Sequence, residues 1–204
     1  MSHWRIILER EFSGYFATPL AYVFLLTFLV LSSVFTFYLG GFYESEQASL
    51  QPFFTFHPWL YLFLMPALAM RLWSEERKSG TIELLMTLAI RRRDMVLGKF
   101  LAAWLFAGLA LGLTFPMVFT VNFLGEPDNG AILTGYLGSW LLAGAYLAVS
   151  SLVSALSKNP VLAFIGALAL CLVFVASGHA LLLDAFSGWA PHWWLDAVAS
   201  MRFL

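Results

Sequence analysis

Gly98-Lys99 is the first place to look for chemistry, because a glycine-lysine pair can cradle a phosphate. It is followed by Phe100 rather than Ser or Thr, and no glycine stands five residues earlier, so it is not a P-loop. The four histidines are dispersed, and His3, His57 and His179 have no carboxylate or second histidine at i+3 or i+4, so none begins a metal site. Ser177 and His179 fall on different helical faces, with Asp184 the acid nearest to them, which is no nucleophile–base–acid arrangement. The single cysteine, Cys171, stands in an apolar run, so neither a disulfide framework nor a cysteine metal site can be built. What is left is charge, and it is concentrated. The stretch Arg71–Lys99, RLWSEERKSGTIELLMTLAIRRRDMVLGK, holds seven of the eleven Lys and Arg residues and lies between two long apolar segments.

The elements that position this stretch are made for lipid. The chain of 204 residues is 61% hydrophobic and 11% charged, with a mean hydropathy of +0.82, whereas soluble domains carry about 25% charged residues. A hydrocarbon core about 30 Å thick takes roughly 20 apolar residues per helix. The pattern predicts an all-α integral membrane protein with spans at 20–39, 53–70, 95–121, 131–156 and 161–183 in one transmembrane domain. Pro52, Pro58 and Pro66 make the second span irregular, so it should face other helices, where its freed backbone groups can be satisfied. Asp94 is placed as cap of the third span, with Lys99 near its polar end and its stem free to snorkel. Gly108 and Gly112 form a small-xxx-small pair for helix contact. Ser150, Ser154 and Ser157 recur at helical spacing, and Asn159-Pro160 starts the fifth span. No span has an acid or base at its centre, which argues against an ion-coupled transporter.

Residues 1–17 predict an interfacial helix rather than a signal peptide. Trp4, Ile7, Leu8, Phe12, Tyr15 and Phe16 fall on one side, and Arg5, Glu9, Arg10 and Ser13 on the other. Glu11 breaks this pattern and is expected to face a neighbouring helix. The N-terminal segment has two basic residues, 71–99 has seven and the turn 157–160 has one, while the loops holding Glu44, Glu46, Glu126 and Asp128 have none. By the positive-inside rule the N-terminus and the charged stretch are cytoplasmic, which leaves the tail 184–204, with Trp189, His192, Trp193 and Trp194, on the outer side. Within the charged stretch, Gly80 bends the chain and 81–88 forms a short helix with Glu83 in its first turn. A short amphipathic helix between charge clusters suits a docking element for a soluble partner. The same charges would also set topology and bind anionic headgroups, and the pattern alone does not choose between these.

The segment FFTFHPWLYLFLMPALAMRLWSEERKSGTIELLMTLAIRRRDMVLGKFLAA resembles the signature region of ABC-2-type transporter permeases, and is most similar to the subgroup with the gliding-motility-associated permease. The likeness runs from Arg10-Glu11-Phe12 to about Ala180, and its most specific part is Glu75 to Leu85 with Gly98-Lys99. It implies an N-terminal elbow helix, six spans, and a coupling helix between spans 2 and 3 that sits in a groove of a separate ATP-binding subunit. The residues so assigned to docking are Glu75, Glu76, Gly80, Thr81, Glu83, Leu84 and Leu85, with Arg91, Arg92 and Arg93 as supporting charge and Arg10, Glu11 and Phe12 on the elbow helix. The chain departs from the family pattern at Ala89, where a proline is usual, and stops at Leu204, where a sixth span is expected, as in a chain truncated at its C-terminus. The function implied is the permease subunit of an ATP-driven exporter in a bacterial cytoplasmic (inner) membrane, without an ATPase site or cofactor of its own. ATP and Mg would belong to the cytoplasmic ATPase subunit. The other partners implied are a second permease subunit, identical or related, the bilayer and an outer-side accessory protein, with no nucleic acid. The alternative is a non-transporting anchor for a cytoplasmic ATPase or a motility or assembly complex.

Overall fold

The computed structural model describes residues 3–43, 48–87 and 91–177, with the backbone alone for 3, 84–86 and 177. Glu44, Glu46, Ala89, the end of the expected fifth span, His179, His192 and the tail 184–204 lie outside the described residues, as do the side chains of Leu84 and Leu85. Every regular element among the described residues is helical. The chain opens with α1 (His3–Phe16), and Thr18 closes a turn onto the Tyr15 carbonyl before Pro19 starts α2 (Pro19–Val34). The end of α2 widens into a π-helical turn, Phe35–Leu39. Two helices, α3 (Gln51–Thr55) and α4 (His57–Ala69), replace the single expected helix over 53–70. The break falls at Phe56 because Pro58 has no N–H to offer the Phe54 carbonyl.

The charged stretch forms α5 (Ser74–Ser79) and α6 (Thr81–Thr87), hinged at Gly80, whose φ of 75° is the left-handed conformation that favours glycine. Next come α7 (Arg92–Gly112) and α8 (Pro116–Leu124), where one helix over 95–121 was expected. Pro116 forces the interruption, and the intervening turns are closed by short-range bonds, Thr114 N–H to Leu111 O at 3.1 Å and Phe115 N–H to Gly112 O at 3.0 Å. Since α7 starts at Arg92, Asp94 lies in its first turn and caps nothing. Asp128 caps α9 (Asn129–Leu156), accepting from Gly130 N at 2.9 Å, and Asn159 accepts from Val161 N at the start of α10 (Pro160–Ser177). Pro19–Leu39, Arg92–Leu124 and Asn129–Leu156 are long and apolar enough to cross a membrane, and Pro160–Ala176 is a shorter apolar helix.

The prolines of α4 are accommodated because α2, α9 and α10 surround that helix. Ten of its residues are buried, including Pro66 and Leu62, whose carbonyl loses its usual donor to the proline. His57 lies four residues into the expected 53–70 span, yet it is only 1% exposed. It stacks on Tyr61 and meets Phe53 edge-on, with ring centroids 5.3 and 4.3 Å away. Its neighbour in the fold, Tyr61, shares a 2.7 Å hydrogen bond with Ser139 of α9.

A reciprocal lock joins α7 to α9. Trp104 and Trp140 stack at 4.2 Å, and each indole N–H points to the other's carbonyl, at 2.9 and 3.3 Å. Each indole also fills the space left by a glycine one turn along the opposite helix. A Cβ at Gly108 would come within 2.7 Å of Trp140 Nε1, and one at Gly144 within 2.8 Å of Trp104 Nε1. The expected Gly108–Gly112 pair therefore does not act as a unit, since a Cβ at Gly112 would meet no atom within 4 Å.

Candidate docking site

The site is built where α1, α5 and the start of α7 converge, with α6 joined to α5 across the Gly80 hinge. The two sides of α1 divide as its periodicity dictates: Trp4, Ile7, Leu8, Phe12, Tyr15 and Phe16 are partly buried, and Arg5, Glu9, Arg10 and Ser13 are exposed. The apolar side lies on α7, and Gly98 sets the closeness of approach, because a Cβ there would stand 2.8 Å from Ile7 Cγ2 and 3.0 Å from Trp4 O. One residue on, Lys99 turns inward. Its Nζ lies 2.7 Å from Glu76 Oε1 and 3.1 Å from Glu11 Oε1, and its side chain is 5% exposed against 16% and 21% for the two acids. The ring of Trp73 lies 5.6 Å from the same ammonium. Snorkelling was expected of Lys99; it is held instead by acids from two other elements, one of them the Glu11 that broke the pattern of α1. Desolvating an ammonium is affordable only when paired in this way.

The base of α5 is clasped to the end of α9. Ser154 Oγ accepts from the N–H groups of Trp73 (3.2 Å) and Ser74 (3.3 Å) and donates to Met70 O (3.0 Å). The Trp73 indole donates to Ser151 Oγ at 3.1 Å, and the Arg77 guanidinium donates to the Ala155 carbonyl. Helix α9 has 28 residues, about 42 Å at ~1.5 Å per residue, so it is longer than the ~30 Å hydrocarbon core and can carry such a clasp beyond it. Arg71 binds Glu75 through two hydrogen bonds, at 2.8 and 2.6 Å. These bonds hold the Glu75 carboxyl below, and the Arg71 guanidinium above, their usual ranges. Across the hinge, the Ser79 and Thr81 hydroxyls meet at 2.9 Å.

The residues assigned to docking thus divide into an outward and an inward set. Glu75, Gly80, Thr81, Glu83, Arg91, Arg92 and Arg93 are exposed, as is Arg10. Glu76 and Glu11 are turned in toward Lys99, and Phe12 packs edge-on to Phe16. What sequence reasoning missed is the role of Lys99 as the junction. The signal was present: Met95, Gly98, Ala102, Ala103 and Phe106 recur at helical spacing and are buried, and Lys99 falls on that same stripe. Ser154 was marked by the helical spacing of Ser150, Ser154 and Ser157, whereas Trp73 and Ser151 carry no comparable sequence signal. Among the described residues no three His, Cys, Asp or Glu side chains come together as a metal site.

A family model described as "ABC-2 family transporter protein" matches residues 23–192. No match is found among curated proteins or among solved structures.

Proposed function

The chain belongs to the ABC-2 transporter family, and from this we propose that it is the membrane-spanning permease subunit of an ATP-driven exporter whose ATPase is a separate chain. It is a multi-pass membrane protein, a permease component by its family. Helices α5 and α6 form the surface on which a cytoplasmic ATP-binding subunit docks, and Lys99 passes the motion on to α1 and α7. The observation that carries this reading is the junction at Lys99. A rigid connection between an exposed helix pair and two membrane elements is what mechanical coupling requires. A segment that served only to fix topology would need no buried ion pairs.

The orientation has the same support. The ion pairs at Lys99 and the bond from Arg77 to Ala155 gather α1, the charged stretch and the end of α9 at one end of the molecule. Nine of the eleven Lys and Arg residues belong to these segments and a tenth, Lys158, to the turn that follows α9, so this end is cytoplasmic by the positive-inside rule. The membrane is the bacterial cytoplasmic membrane, and two permease subunits, identical or related, pair to form the path. The motif around Glu75–Leu85 supports a relation to the gliding-motility-associated subgroup.

Glu83 is exposed in the first turn of α6, away from the Lys99 junction, so its charge can be reversed without touching the root of the site. Glu83→Lys is expected to leave membrane insertion and thermal stability unchanged while lowering both the ATPase subunit that co-purifies and transport by the assembled complex. Wild-type recovery of the ATPase together with wild-type transport would refute the assignment of α6.

A further inference from the structure

A cleft of about 540 Å³ opens between α1, the start of α2, the end of α4 and α5, within the roughly 300–1,000 Å³ range of small-molecule sites. We propose that it binds the headgroup of an amine-bearing zwitterionic phospholipid, a phosphatidylethanolamine.

The charges on its wall point to a zwitterion. Three acids (Glu11, Glu75, Glu76) and three bases (Arg10, Arg71, Lys99) line it, and these sum to zero. Lys99 is closed off at 5% exposure, while Arg10 (72%), Arg71 (47%), Glu75 (51%) and Glu11 (21%) remain open. These groups are paired with one another, Arg10 with Glu11 at 3.4 Å and Arg71 with Glu75 at 2.6 and 2.8 Å, so a visitor must exchange with a guanidinium and a carboxylate together. An anionic headgroup would pair with the guanidiniums but be pressed against the carboxylates, and a simple amine would meet the reverse conflict. A phosphate bound by Arg10 and Arg71, with a primary ammonium reaching Glu11 or Glu75, satisfies both sets. A quaternary choline has no N–H to donate and loses the second half of that match.

The position in the fold points to a lipid. The cleft lies where the interfacial helix α1 turns into α2, the depth at which headgroups sit. Its remaining wall is apolar and leads along the spanning helix: Leu20 and Phe24, one turn apart on α2, face Leu68 of α4. Leu20 is 47% exposed, leaving an open apolar edge for an acyl chain beside the charged floor. Gly14 lines the cleft, and a Cβ there would meet no atom within 4 Å, so this position can be enlarged into the space without a clash at its base. The proposal rests on the charges of the cleft and on membrane placement; it shares Glu75 with the docking surface of α5 but is independent of what docks on α6.

The test uses the full chain purified in detergent, stripped of lipid and offered an equimolar mixture of phosphatidylethanolamine, phosphatidylcholine and phosphatidylglycerol with matched acyl chains, with adducts counted by native mass spectrometry. The expected result is an ethanolamine-lipid adduct favoured at least about tenfold over both others, the discrimination one charge-assisted hydrogen bond provides. It should survive Gly14→Ala and be lost in both Gly14→Trp and Ala67→Phe, which fill the cleft from opposite walls, in proteins whose lipid-free melting temperature matches wild type. Equal adducts of all three lipids, a preference for phosphatidylglycerol, or an ethanolamine-lipid adduct retained by the two filled variants would each overturn the proposal.

Discussion

Lys99→Met removes the ammonium and keeps the stem, and so isolates what the buried charge contributes. The two contacts, at 2.7 and 3.1 Å, correspond to gross attractions of about 6 and 5 kcal/mol at an effective dielectric near 20, most of which is offset by desolvation. Deleting one member of a buried pair costs about 3–5 kcal/mol, because the remaining charge is stranded. The side chains of Glu11 and Glu76 keep 21% and 16% of their exposure, and water screens them in part, so the lower end applies, about 3 kcal/mol. For a chain of this size that is a fall of about 6–12 °C in thermal midpoint, measurable on detergent-purified protein by tryptophan fluorescence. Neutralising the acids as well separates a stranded charge from lost packing. Glu11→Gln and Glu76→Gln in the Lys99→Met background should restore about 1–2 kcal/mol. A Lys99→Met cost below about 0.5 kcal/mol, the scale of ordinary surface changes, would show that Lys99 is solvated and refute the junction. A further loss on neutralising the acids would refute the electrostatic origin.

Four other substitutions test the frame around the junction. Gly108→Val should expel the Trp140 indole, cost about 1–3 kcal/mol and abolish the near-ultraviolet circular dichroism of the stacked Trp104–Trp140 pair, whereas Gly112→Ala should be neutral or stabilising by up to about 1 kcal/mol. Ser154→Ala leaves the Trp73 and Ser74 N–H groups without their acceptor and should cost about 1–3 kcal/mol, with faster amide exchange at the start of α5. Gly80→Val places a β-branched side chain at a φ of 75°, at about 1–2 kcal/mol, and should raise the proteolytic sensitivity of 79–81 without changing the midpoint of the membrane helices.

Much of the fold is legible in residue type because lipid and water sort residues so strongly. The two sides of α1, the hinge at Gly80 and the Asn159-Pro160 start of α10 each follow from a local rule that no distant contact overrides. What was not legible arises between elements. Pro116 breaks its helix where hydropathy runs on unbroken, because apolar composition records burial and not hydrogen bonding. Gly108 reads as half of a glycine pair, yet its space belongs to an indole 32 residues away in sequence, at Trp140. Lys99 reads as a residue bound for the surface because a lysine alone cannot afford burial. Its two acids come from sequence positions 88 residues before it and 23 before it, at Glu11 and Glu76, and only the folded chain brings them together. His57 likewise sits near a span end in sequence but inside an aromatic box in space.

The central claim is that α6 docks an ATP-hydrolysing subunit. It is tested most directly by replacing Thr81–Thr87 with a glycine-serine segment of equal length, which leaves α5, Glu76 and the Lys99 junction in place, and purifying both forms from the native membrane. The account predicts that wild type brings down an ATP-binding protein with hydrolytic activity, and that the replaced form is equally stable and brings down none. Equal recovery of that protein by both forms would contradict it.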